Sequence, residues 1–449
     1  MAAHAELEAQ IDRWRGYVQR NRAISPADVD ELEDHLRGEI ADRQATGLDD
    51  DEAFLVAIKR LGNLDAVSRE YAREHSERLW KQLVLVPEGV DDANAAPWRE
   101  LAVVLILAVG AGVAVKAGMA WIGDSGVLMR NLGLLVFPFV AAYFAWKRRL
   151  TRAVAAALVV PFAGLAAVLN LYPFAPAGAT GMLAALHSAV ILWLLTGLAY
   201  AGGRWRSDRR RMDFVRFTGE FGVYYTLLAL GGGVLIGLTV ATLRGIGTDF
   251  QPVLDGWVLP FAVPGALVVA IWLVEAKQQV VENIAPVLTR VFTPLTVAML
   301  VVLLAMLANA GGFAGTDRNL LILIDAILIL VLCLLLYSIS ARDPLAPAGL
   351  FDALQLGLVV AGLALDAAML TAMLARIAEF GYSPNKIAAL GLNLLLLMHL
   401  LRAAWLSLGF LRGRLPFAAV ELWQTRYLPV YGAWAVVVVV VFPPVFGFI

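Results

Sequence analysis

Residues 319–340 read NLLILIDAILILVLCLLLYSIS, twenty-two positions with one charged side chain, Asp325, and neither glycine nor proline. Wound as an α-helix, this run is about 33 Å long. That matches a hydrocarbon core about 30 Å thick. Its apolar residues surround the helix, so no polar face is left for water, as expected of a membrane span. Working outward in both directions, runs of the same kind recur at roughly 99–122, 131–146, 153–172, 181–202, 220–243, 256–275, 291–310, 351–375, 386–408 and 428–448. With 319–340 they predict eleven transmembrane helices, the one at 131–146 being the shortest. The fold class expected is all-α, a polytopic helical membrane protein.

Composition agrees. The 449 residues are 60% hydrophobic and 16% charged, against about 25% charged in soluble domains. The charge is unevenly spread. Residues 1–100 carry 22 acidic and 13 basic side chains, a net of −9, whereas residues 101–449 carry a net of +8. An acidic helical head on a membrane body follows, with residues 1–82 as the head, 83–98 as a linker containing Pro87 and Gly89, and 99–449 as the body. The single cysteine, Cys333, excludes an internal disulfide framework and is expected as a small buried side chain. No cofactor motif and no metal-ligand cluster is legible.

The head has three clear apolar stripes at helical spacing: Leu7, Ile11, Trp14 and Val18; Val29, Leu32, Leu36 and Ile40; Phe54, Ala57, Ile58 and Leu61. Ser25-Pro26 starts the second helix and Asp49 to Glu52 load negative charge on the first turn of the third. A fourth helix follows with Leu64, Val67 and Tyr71. The segments ELEDHL (31–36), GLDDDEAF (47–54) and RLGN (60–63) resemble the bacterial permease-prefix domain, a helical module similar to HAAS-type signalling domains. The resemblance spans about 50 residues. It implies a cytosolic docking or regulatory role, with a cytosolic protein partner such as a PadR-like regulator. His35 within it has no second histidine or cysteine nearby and is expected as a packing or surface residue.

The body carries its own resemblance. RRMDFVRFTGEFGVYYTLLALGGGVL (210–235), RDPLAPAGLFDALQLGLVVAGLALDAAML (342–370) and RIAEFGYSPNK (376–386) look like the polytopic bacterial domain-of-unknown-function family numbered 4153. Many members show threonine and arginine where Ser383 and Lys386 stand here. The likeness implies a membrane location and no particular chemistry.

Orientation is read from lysine and arginine. If the head is inside, connections on its side hold 16 of these residues and connections on the far side hold 5. With no apolar leader at residues 1–22, the expectation is a bacterial inner-membrane protein with its N-terminus cytoplasmic and Ile449 outside. The basic stretch GGRWRSDRRRMDFVRF (202–217) is then a topology determinant touching anionic headgroups, and no nucleic-acid partner is expected. Trp98, Trp121, Trp146, Tyr172, Tyr200, Trp205, Trp257 and Tyr427 fall near span ends as interfacial anchors. Gly231, Gly232, Gly233 and Gly237 are expected to let helices approach closely.

Ionisable groups inside a bilayer are costly, which makes them functional candidates. Lys116, Asn170, His187, Asp325, Asp366, Arg376 and Glu379 all fall toward the outer half of the body. Brought together, they would line an outward-facing polar cavity for a small solute or ion, with Asp325 and Asp366 as proton or cation partners. His399 and Arg402, three residues apart on one helix face, are secondary candidates. No HExxH, GxSxG or P-loop pattern occurs, so no catalytic residue is assigned. The expected role is permease-like transport or sensing. The alternatives are a sensor or scaffold without transport, and a membrane enzyme on a lipid-linked substrate, for which Asp124 in the first outer loop is the one pointer. Oligomeric state is not legible.

Overall fold

The computed structural model describes residues 7, 8, 10, 11, 15, 33, 34, 36–38, 40, 41, 44, 49, 50, 53, 54, 57, 97–245, 247–276, 284–309 and 318–449. The chain divides into two compact units, Met1–Asn94 and Ala95–Ile449.

In the first unit Leu7, Ile11, Leu36, Ile40, Ala53, Phe54 and Ala57 are buried. Apart from Ala53 they belong to the three stripes, and the described members of each stripe turn inward. Arg37 grips Glu8 with two bonds of 2.7 and 2.8 Å and reaches Glu33 at 3.0 Å. The Glu8 bond leads in holding its guanidinium above the ordinary arginine range. His35 and residues 83–96 of the expected linker lie outside the described residues.

The second unit is built of α1 (Pro97–Trp121), α2 (Ser125–Lys147), α3 (Arg152–Leu171), α4 (Ala179–Tyr200), α5 (Asp208–Gly245), α6 (Gln251–Ala276), α7 (Ile284–Asn309), α8 (Arg318–Ser340), α9 (Leu350–Phe380), α10 (Pro384–Leu411) and α11 (Phe417–Val440). Among the described residues there is no strand, and ten of these helices are long and apolar enough to cross a bilayer. The chain is an all-α polytopic membrane protein. The tenth of the eleven expected runs is found as α10; the eleventh, α11, falls short of the others in apolarity. It begins eleven residues earlier than expected and takes in Gln424, Thr425 and Arg426. Gln424 and Thr425 are fully buried, so this polarity faces protein, not lipid.

The helices pack as two groups. Val104 of α1, Val140, Tyr143 and Phe144 of α2, Phe214 and Phe217 of α5, and Val268 and Ile271 of α6 form one core. Leu300 of α7, Ile324, Leu328 and Val331 of α8, Leu358 and Leu365 of α9, and Leu396 of α10 form a second. Helix α11 lies between the groups: Val439 packs with Leu165, Leu169 and Leu192, and Val438 packs with Leu183 and Ala388. At one end of the bundle Arg148 binds Glu275 at 2.8 Å, Arg216 binds the Ser340 carbonyl at 3.0 Å, and Thr425 reaches Asp208 at 3.5 Å. At the other end the Ala175 and Thr180 N–H groups donate to the carbonyls of Phe448 and Ile449 at 2.9 and 2.8 Å. Helix α11 therefore runs the full depth of the bundle.

Several local expectations change. Helix α2 is a full 23 residues, because Asp124 caps it, accepting from the Val127 N–H at 2.9 Å. Asp124 thus has a structural role at the start of α2. Trp98, Trp121, Trp146 and Trp257 are exposed as anchors must be, but Tyr200 and Tyr427 are buried and serve packing. Cys333 is exposed on α8, on a face suited to lipid. Glycines 231, 232, 233 and 237 meet nothing within 4 Å. They lie on the α5 stretch where Leu227, Leu230, Val234, Leu235 and Leu238 are exposed, so among the described residues they bring no helices together.

Close approach happens elsewhere. A Cβ added at Gly391 of α10 would fall 2.0 Å from the Trp434 ring of α11, and one at Gly362 of α9 would fall 3.0 Å from Val331 of α8. Gly391→Ala is expected to displace Trp434 and destabilise the fold by about 1–3 kcal/mol, whereas Gly232→Ala should leave it unchanged. Thermal unfolding of the two purified variants in detergent measures the contrast, and equal midpoints would refute it.

Candidate functional site

Helices α8 to α11 bring polar side chains into the second core. Asp366 of α9 is fully buried, and neither of its carboxylate oxygens has a hydrogen-bond partner. A carboxylate in that setting needs a proton or a small cation. Asp325 of α8 faces it closely enough for the two charges to interact. Asp325 is held by Asn393 of α10, whose Nδ2 donates to its Oδ1 at 2.9 Å. The remaining Asn393 oxygen is buried without a partner. Three unmatched oxygens, two from Asp366 and one from Asn393, thus share one region beside Asp325.

A second chain of contacts leads away from Asp366. The Tyr431 hydroxyl of α11 interacts electrostatically with Asp366 and lies 2.8 Å from His399 Nδ1. His399 Nε2 lies 2.6 Å from Gln424 Oε1. Since an amide oxygen only accepts, Nε2 must carry hydrogen and donate. In the neutral ring Nδ1 then accepts from the Tyr431 O–H, leaving the Tyr431 oxygen lone pairs free. The ring is clamped further by Trp423, whose Nε1 donates to the His399 carbonyl at 3.1 Å, and by Tyr427, with centroids 4.7 Å apart. Gln424, Tyr427 and Tyr431 stand at i, i+3 and i+7 on one face of α11. This spacing explains why α11 buries a polar stripe. Gly362, one turn before Asp366, lets α9 sit against Val331 and Leu400.

Of the residues singled out from sequence, Asp325 and Asp366 meet, and His399 joins their surroundings. The others end elsewhere. Lys116 of α1 donates to the Gly256 carbonyl, inside a wide turn of α6 (Leu254–Val258), and lies 4.5 Å over Trp257. Asn170 of α3 and Asn131 of α2 exchange amide bonds of 2.9 Å in both directions. His187 Nδ1 contacts its own helix at the Leu183 carbonyl, 2.9 Å away. Arg376 lies over Phe380 at 5.9 Å, and Glu379 and Arg402 are exposed. The seven outer groups therefore do not assemble into one cavity. Asn393, Tyr431 and Gln424 were not among the candidates. An asparagine within an apolar run is a visible signal for the first, but Gln424 fell before the expected start of the last span.

Among the described residues no three histidine, cysteine or carboxylate side chains are grouped to hold a metal ion. Comparison with protein-family models, with curated proteins and with solved structures returns no match.

Proposed function

We propose that this membrane protein carries out permease-like passage or sensing of a small solute or ion, with Asp366 and Asp325 holding the proton or small cation on which it depends. The observation that supports this reading most is the buried Asp366 carboxylate with both oxygens unmatched. Structural glue between helices is made of satisfied pairs, such as Asn131 with Asn170, and Asp366 is not one. Tyr431 and His399 extend a line of exchangeable hydrogens from it, the arrangement that proton movement through a protein requires. The N-terminal unit is a cytosolic permease-prefix module that couples the membrane site to a cytosolic partner. The membrane is the bacterial inner membrane.

The test is proton flux into sealed proteoliposomes holding the purified chain and an internal pH-sensitive dye. Flux above that of empty vesicles is expected, and it should depend on Asp366. Flux equal to that of empty vesicles removes the passage reading and leaves sensing.

The basic end of the body faces the cytoplasm in this proposal. With Cys333 replaced by alanine, a cysteine at Ser207 should react with an impermeant thiol reagent only after the inner face is exposed. A cysteine at Ala177 should react in intact cells. The reverse pattern would invert the topology.

A further inference from the structure

Helices α8 and α9 pack as an antiparallel pair in one continuous register. Gln355 of α9 donates to the Ser338 hydroxyl of α8. Seven residues on along α9 and seven back along α8, Gly362 meets Val331, where an added Cβ would fall 3.0 Å from the valine side chain. Asp366 follows Gly362 by four residues and Asp325 precedes Val331 by six. At about 1.5 Å per residue the two carboxylates lie about 6 and about 9 Å beyond that contact, in the same direction. Asn393 of α10 joins this layer. Its Nδ2 donates to Asp325 Oδ1 at 2.9 Å and lies 3.5 Å from Met373 Sδ of α9. Its amide oxygen shares a carbon with that nitrogen, so it opens beside the Asp325 carboxylate. The surroundings are apolar: Ile324, Leu328, Leu365, Met369 and Leu396 belong to the same core.

Asp366 and Asn393 are fully buried, and three of their oxygens lack a hydrogen-bond donor: both of Asp366 and Oδ1 of Asn393. Among the described residues no lysine or arginine forms an ion pair with either carboxylate. A proton meets this need only in part. Placed on Asp366, it turns one oxygen into a donor, which serves one other oxygen and leaves the third bare. A cation meets all three, because each ligating oxygen directs a lone pair at one centre. Carboxylate and amide oxygens suit hard cations. Magnesium demands an octahedral shell and calcium takes about six to eight oxygens. Two carboxylates and one amide in an apolar layer furnish too few for either. We propose that Asp366, Asp325 and Asn393 bind a sodium-sized monovalent cation. This rests on the assignment of Asp366 as the ion-holding group, adds Asn393 as a ligand and names the ion. The second negative charge is met by a proton held between the carboxylates, so the loaded layer is neutral. Gly362 keeps α8 and α9 close here, which favours a small ion over potassium.

The experiment uses the full-length chain, purified in a neutral detergent and held in choline chloride. Sodium, potassium and magnesium chloride are titrated in separately, and binding is read by calorimetry. Sodium is expected to bind, with potassium at least about tenfold weaker. Asp366→Asn and Asn393→Leu should each weaken sodium binding by at least about tenfold, the effect of losing one charged or polar ligand. No sodium binding by the wild type overturns the proposal, as does undiminished binding in either variant. Potassium binding as tight as sodium, or magnesium binding that is lost in Asp366→Asn, overturns it too. If Asp366→Asn does not fold, Asn393→Leu alone decides. Failure here is separable from failure of the passage reading. Asp366-dependent proton flux without sodium binding removes the sodium site and keeps passage. Asp366-dependent sodium binding without flux keeps the site and leaves sensing.

Discussion

Replacing Asp366 with asparagine should reduce proteoliposome proton flux to the level of empty vesicles and leave the fold intact. Asparagine matches aspartate in shape, so the packing of α9 against Val331 and Leu400 is kept. What disappears is the group able to take up a proton or hold a cation. Because neither carboxylate oxygen has a partner, no native hydrogen bond is lost, and stability should stay within about 1 kcal/mol of wild type. Asp366→Leu sharpens the contrast. If the carboxylate were helix glue, leucine would destabilise the bundle. If it is retained for function at a cost in stability, leucine should be neutral or stabilising. Unfolding in rising dodecyl sulfate, run beside the flux assay, separates the two. A marked loss of stability in both variants with flux preserved in Asp366→Asn would end the functional reading of Asp366.

The largest effect on stability is expected at Arg342, in the turn between α8 and α9. Its guanidinium binds both oxygens of Asp352, at 2.7 and 3.1 Å, and also the carbonyls of Asp343 at 2.7 Å and of Ala346 and Pro347 at 3.0 Å. It lies over the rings of Phe410 and Phe417 at 4.7 and 4.3 Å. Both charged side chains are only 10% exposed. Asp352 also accepts the Gly349 N–H at 2.8 Å and so fixes the start of α9. Arg342→Ala leaves a buried carboxylate without its counter-charge, held only by the Gly349 N–H, and a loss of about 3–5 kcal/mol follows. Lysine should rescue little, since one ammonium cannot reproduce a planar fork. The double variant Arg342→Ala/Asp352→Ala should recover part of the loss, because the stranded charge is gone. The same dodecyl sulfate titration measures all three. A loss under 1 kcal/mol in Arg342→Ala would show that the pair is not the clasp described here.

Legibility differed from element to element. The rod at 319–340 could be read because insertion into lipid is a sum over one segment, and that sum is overwhelming there. The last rod was placed eleven residues late because Gln424 and Arg426 lower its sum, although Gln424 never meets lipid. The glycines at 231–233 looked like a packing motif, yet small side chains permit close approach without requiring it. Glycines that do carry contacts, Gly362 and Gly391 among them, sit alone within apolar runs and look ordinary. Asp325 and Asp366 were visible as charges in the wrong solvent. Their grouping with Asn393, and the separation of both from Lys116, Asn170 and His187, was not.

Sequence by itself determined that the body is a set of apolar rods attached to an acidic helical head, because hydropathy and charge are properties of each segment alone. Which rods touch, and which side of each turns inward, was decided only by the tertiary structure. The physical reason is that lipid tails are as apolar as leucine. A span therefore gains no hydrophobic energy by choosing one neighbour over another. The choice rests on shape and on a few polar contacts between helices far apart in the chain, such as Asn393 with Asp325 and His399 with Tyr431.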